Sequence, residues 1–95
     1  MSTSSVEPNV AELRVAARTP TAELASAISH ALYDGKRVVL RAIGAGAVNQ
    51  AVKGMIVASS YVSQRGLVLA NRPGFVTAPM EGEERTVIVF HVFAT

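Results

Sequence analysis

Few residue types in this chain of 95 residues could do chemistry, and the densest candidate is a turn, Arg41-Ala42-Ile43-Gly44-Ala45-Gly46-Ala47-Val48-Asn49-Gln50-Ala51-Val52-Lys53. Across it the hydrophobic period changes from the alternation of a strand to the spacing of a helix. Gly44 and Gly46 supply the positive φ or close backbone approach that a strand needs to enter a helix with almost no loop. Such a turn leaves the first helical amides, around residues 47–50, unpaired and pointing outward, which suits a phosphate. The plainer reading, in which the glycines only shape the turn and let helix and sheet pack closely, stands beside it. No Gly-Lys-Ser/Thr ending follows, and Asn49 occupies the place of the third glycine of a dinucleotide fingerprint. Nucleotide hydrolysis and hydride transfer therefore lose most of their support.

Other reactive side chains are sparse. The absence of cysteine removes disulfides, thiolate zinc sites and thiol catalysis, and fits a reducing cytoplasm. His30 falls beside Ser26, Ser29 and Tyr33 on the polar side of a predicted helix, with no second ligand at helical spacing, so no metal is expected. His91 has no Ser or Cys nucleophile as partner and reads as a rim or packed histidine rather than a base. Glu81, Glu83, Glu84 and Arg85 cluster at a predicted hairpin tip, where adjacent glutamates are usually a solvated turn. Neither enzymatic activity nor a cofactor is expected.

The elements that position these residues belong to one domain. Hydrophobic residues make up 49% of the chain, with no Trp, so the core must be built from Ala, Val, Leu and Ile, a composition suited to close helix-on-sheet packing. A net charge of +2 tolerates an anionic partner without demanding one. No apolar run approaches the length of a membrane span, and the polar start is unlike a signal peptide, so a soluble cytoplasmic protein is expected.

Residues 1–10, rich in Ser and Thr, read as a disordered tail, and residues 11–95 as a single domain. From Glu12 the pattern alternates, with Leu13, Val15 and Ala17 on one face and Glu12, Arg14 and Ala16 on the other. Thr19-Pro20 opens a helix, Thr19 as cap and Pro20 at its first position, and Gly35 closes it; Leu24, Ala27, Ile28, Ala31 and Leu32 form its apolar stripe. A second strand has Val38, Leu40 and Ala42 toward the core, and Arg37, Val39, Arg41 and Ile43 away from it. Arg14, Arg37 and Arg41 then form a basic patch on an open sheet face.

After the glycine turn a long helix buries Val48, Ala51, Val52, Met55, Ser59 and Val62 and ends at Gly66. Ile56, Val57 and Tyr61 interrupt its polar side, which predicts a homodimer contact or higher homo-oligomer. A third strand is expected over residues 67–72, broken by Pro73-Gly74. A hairpin loop follows over 75–84, and the last strand spans 85–93, with Ile88, Phe90 and Val92 toward the core. Val87, Val89, His91 and Phe93 then line an apolar open face, a second surface suited to a protein partner. The fold class is α/β, an α+β two-layer sandwich of order β-α-β-α-β-β with two helices on one face of a four-stranded mixed sheet.

The run from Ala42 to Lys53, together with Gly82-Glu83-Glu84-Arg85-Thr86, resembles the stage V sporulation protein S family of bacteria, and the resemblance extends over residues 12–92. It implies an Alba-like fold, a dimer, and a regulatory role in sporulation or developmental gene control with DNA or RNA as ligand. Carried over by position are Gly44, Gly46, Asn49, Gln50 and Lys53, and the Glu83, Glu84 and Arg85 motif. The sequence departs from DNA-binding Alba proteins in offering only Arg18 near the first helix and an acidic hairpin tip. Two functions are therefore expected to compete. One is nucleic-acid binding through Arg18, Arg41, Lys53 and the helix amides. The other is a protein assembly module built on Ile56, Val57, Tyr61 and the apolar face.

Overall fold

The computed structural model describes residues 3–4 and 9–95. In chain order the elements are β1 (Thr3–Ser4), β2 (Val10–Val15), α1 (Thr21–Tyr33), β3 (Arg37–Ala42), α2 (Ala45–Ser63), β4 (Leu69–Met80) and β5 (Glu83–Ala94). The sheet order is β1-β2-β3-β5-β4. β2 and β3 are parallel neighbours joined through α1, while β3 and β4 each pair antiparallel with the β5 between them. The expected two-layer α+β sandwich is present, with the two-residue β1 added at one edge. Part of the expected tail thus differs: Thr3 and Ser4 pair with Leu13 and Glu12, and Val10 opens β2. Positions 1, 2 and 5–8 lie outside the described residues.

Alternation along β2 and β3 places Leu13, Val15, Val38, Leu40 and Ala42 in the core, as the sequence pattern predicts, and Ala11 with them, whereas Ala17 lies past the end of β2 and is exposed. They meet Leu24, Ala25, Ile28 and Leu32 of α1, a stripe at helical spacing. Thr19 is not the cap of α1, whose N-cap is Pro20. Its hydroxyl instead accepts a 2.8 Å hydrogen bond from the Ala16 amide, closing the β2–α1 connection on itself. The helix stops where expected: Gly35 has φ 76°, and the Lys36 amide donates back to the Ala31 carbonyl.

α2 is rotated from its expected setting. Ala47, Ala51, Gly54, Met55, Ala58 and Val62 are buried, whereas Val52 is exposed and Val48 and Ser59 are only half-buried. The reason is the seam with α1. A Cβ placed on Gly54 would lie 2.5 Å from Leu24 Cδ2, so the helices close against small residues rather than against the larger valines.

The largest departure is the hairpin. β4 does not break at Pro73-Gly74 but runs to Met80, and a tight turn at Glu81 (φ 53°) and Gly82 (φ 79°) leads straight into β5. Prolines are tolerated there because β4 is an edge strand with one unpaired side. On β5, Phe90 and Val92 are buried and Ile88 is half-buried, in keeping with the expected core face. Val87 and Val89, expected on the open side, are buried as well, at 1% and 3% exposure. Their cross-strand neighbours account for this: Arg41 and Gly74 flank Val89, and Val76 flanks Val87.

Candidate nucleic-acid interface

Both helices cover one face of the sheet, so the side chains that alternate away from the core form a lattice on the other. Strand register orders them in rows. The row nearest the β2 start runs Val10 to Arg37, and its continuation across β5 meets Phe93, because Val38 pairs with Val92. The next runs Glu12, Val39, His91, Arg72, and the third Arg14, Arg41, Val89, Gly74. The three arginines expected on this face are therefore on it, and Arg72 joins them. Arg72 was hidden in the sequence by reading Pro73-Gly74 as a break. The symmetry of residues 69–80 and 83–94 about a two-residue turn was the signal that places it opposite His91.

Along this face lie two hollows. One, of about 730 Å³, is lined by Glu12, Arg37, Val39, Arg72, His91 and Phe93 among others. The other, of about 610 Å³, lies where the β4–β5 arm extends past the ends of β2 and β3, and it is walled by Arg14, Arg41, Ile43, Met80, Glu81 and Val87 among others, two cations against one carboxylate. Arg14 and Arg41 stand side by side in register, so two like charges share one spot. Glu12 offsets part of that repulsion through a contact of 3.4 Å to Arg41 Nη1, both side chains remaining partly exposed.

The glycine turn is at this same end of the sheet. Gly44 has φ 90°, the left-handed region that L side chains adopt only under strain, and Gly46 lies so near Ala17 that a Cβ there would come within 2.8 Å of the Ala17 Cβ. Both parts of the sequence argument for these glycines are thus realised, one at each position. The unpaired amides are shifted from the expected 47–50, because α2 begins at Ala45 and the Val48 amide already donates to the Gly44 carbonyl. Those of Ala45, Gly46 and Ala47 precede the first such bond. Arg18, exposed, follows Ala17 in the β2–α1 connection.

The remaining candidates do not join this group. Gln50 is committed to structure: its Nε2 donates to the Thr19 carbonyl at 2.6 Å and to Thr21 Oγ1 at 3.3 Å, tying α2 to the start of α1. Asn49 and Lys53 are exposed on α2, on the helical layer, whereas Arg41 is on the opposite face of the sheet. Nor do Ile56, Val57 and Tyr61 form one surface. At about 100° per residue Ile56 shares a face with Val52, while Tyr61 turns toward α1, where its carbonyl accepts from the Tyr33 hydroxyl at 3.3 Å. Val57 is half-buried against the core. Ile56 (64% exposed) and Val52 on α2 are exposed apolar side chains, as is Phe75 (76%) on β4, a strand that α2 touches.

His30 stands edge-on to Tyr33, whose ring also carries the Arg65 guanidinium 3.6 Å from its centroid. Register separates the acidic tip: Glu83 faces Met80 and Glu84 faces Pro79, so consecutive glutamates point to opposite sides of the arm. Among the described residues, no group of His, Asp and Glu is arranged to hold a metal ion, and no helix is long and apolar enough to cross a membrane.

A β-α-β-α-β-β chain with both helices on one face and a long terminal hairpin is a small α+β protein of the Alba-like kind. Its sequence matches the family model described as Stage V sporulation protein S (SpoVS) over residues 11–95, and the chain belongs to that family. It is accordingly a small sporulation-related protein.

Proposed function

We propose that this protein is a non-enzymatic, cytoplasmic regulator of sporulation or developmental gene expression that binds nucleic acid by its phosphates. The observation that carries the reading is the in-register pair Arg14 and Arg41 beside the 610 Å³ hollow. Arg18 and the unpaired amides of Ala45 to Ala47 lie at the same end of the sheet. Glu12 offsets the repulsion between the two guanidiniums only in part, through one 3.4 Å contact to Arg41, and a phosphodiester can accept from both arginines. Contacts of this type position a backbone without reading bases, so modest, salt-sensitive affinity is expected. Titrating the protein against DNA and RNA at two salt concentrations tests this. Affinity should fall steeply as salt rises, and Arg14→Glu or Arg41→Glu should abolish it. No binding at low salt by a folded protein would sink the reading.

Dimerisation is the second part of the proposal. Val52, Ile56 and Phe75 expose large apolar side chains on two elements that touch, and a second copy of the chain is the partner that symmetric association most readily offers such side chains. If nucleic acid fails to bind, the same strip supports the alternative of a protein assembly module. Sedimentation should show dimers or larger species that Ile56→Asp dissociates; a monomer at high concentration would exclude both versions.

A further inference from the structure

The 730 Å³ groove on the open face differs from the arginine pair in carrying rings. Phe93, 37% exposed, and His91, half-buried, are two residues apart on β5 and so project from the same side of the central part of the sheet. Each has an arginine across the ladder: Arg72 is the register partner of His91, and Arg37 adjoins Phe93 through the Val38–Val92 pair. Rows on one face of a strand repeat every second residue, about 7 Å. That interval suits successive nucleotides of an extended strand. Along the face the rows continue without interruption to Arg14 and Arg41.

From these positions we infer that the open face is a single-stranded RNA platform, on which bases stack against Phe93 and His91 while Arg37, Arg72, Arg41 and Arg14 follow the phosphates. This rests on the nucleic-acid reading above and adds the ligand's strandedness, its sugar and the residues that hold it. Charge complementarity favours a polyanion, since these three rows carry four arginines against the single carboxylate of Glu12 among their described residues. The rings favour unpaired bases, because a duplex keeps its base faces stacked internally and offers nothing to Phe93. The carboxylate favours RNA. Glu12 can only accept, it repels phosphate, and a ribose 2′-hydroxyl gives it a donor that deoxyribose lacks.

The chain contains no tryptophan, so Phe93→Trp introduces a sole indole reporter at the proposed stacking position. Three probes separate the outcomes: deca-uridylate, deca-thymidylate and a duplex DNA. Stacking predicts that deca-uridylate quenches the indole and duplex does not, and that Phe93→Ala weakens deca-uridylate about tenfold without changing the salt slope. Arg72→Ser should lower that slope by about 0.7, the contribution of one single-strand phosphate contact. Thermal melting checks that each variant is folded. An unquenched indole, or unchanged deca-uridylate affinity in folded Phe93→Ala, overturns the platform. Equal binding of deca-thymidylate overturns the choice of RNA. Should duplex bind in a manner abolished by Arg41→Glu while the indole stays silent, the platform falls and the phosphate reading survives. If none of the three probes binds at low salt, both fall.

Discussion

The two faces of the sheet are made by the same strands and differ in almost every physical respect. Toward the helices, Leu40, Val38 and Val92 meet Leu24, Ile28 and Val62, all fully buried and all apolar. Away from them, the intervening residues of the same strands include Arg37, Arg41, His91 and Phe93, partly or fully accessible, beside Val87 and Val89, which are buried. One face is packed tightly enough that a single added methyl at Gly54 collides with Leu24. The other is hollowed and charged, and gains little from its ion pairing, since the one such pair among the described residues, Glu12–Arg41, is long and partly exposed. The comparison teaches that packing and exposed charge fall on alternate residues, so the core can be disturbed separately from the face proposed to bind nucleic acid.

Four substitutions test that separation. Leu24→Ala should be the most damaging, costing about 2–5 kcal/mol in urea unfolding through the cavity left at a fully buried site. Gly54→Ala follows, at about 1–3 kcal/mol, because Leu24 must leave its place to admit the new methyl; no loss would show that the seam between the helices yields. Gln50→Ala should cost about 1 kcal/mol by removing its bond to the Thr19 carbonyl. Nucleic-acid affinity in that variant should be retained, and its loss would return Gln50 to the binding site. Last, Arg41→Ser should move stability by no more than about 0.5 kcal/mol. If it unfolds the protein, the open face is structural and the division between the faces fails.

Much of this was legible in the linear pattern. The buried sets of β2 and β3 and the stripe of α1 follow from periods of two and 3.6, and so does the placement of Arg14, Arg37 and Arg41 on one open face. Gly44 and Gly46 could be assigned a backbone role because no other residue type meets that requirement cheaply. What was not legible depended on neighbours remote in sequence. Helical periodicity allows several rotations of a helix as rich in small residues as α2, and only the approach of Leu24 to Gly54 selects one. Gln50, which looks like a helix-start ligand contact, turns out to fasten α1 to α2. Pro73 signals a break in isolation and is harmless on an edge strand, yet nothing local says which strand will be the edge.

The sequence by itself determined the order β-α-β-α-β-β from residue 10 onward and the two-faced character of β2 and β3, because these are properties of spacing within a few residues, and its motifs carried the resemblance to the family. Only the tertiary structure decided which candidates lie together. It put Arg41 and Lys53 in different layers, separated Ile56 from Tyr61, and brought Arg72 beside His91. Such groupings depend on strand register and helix rotation, which are fixed by packing across the whole core.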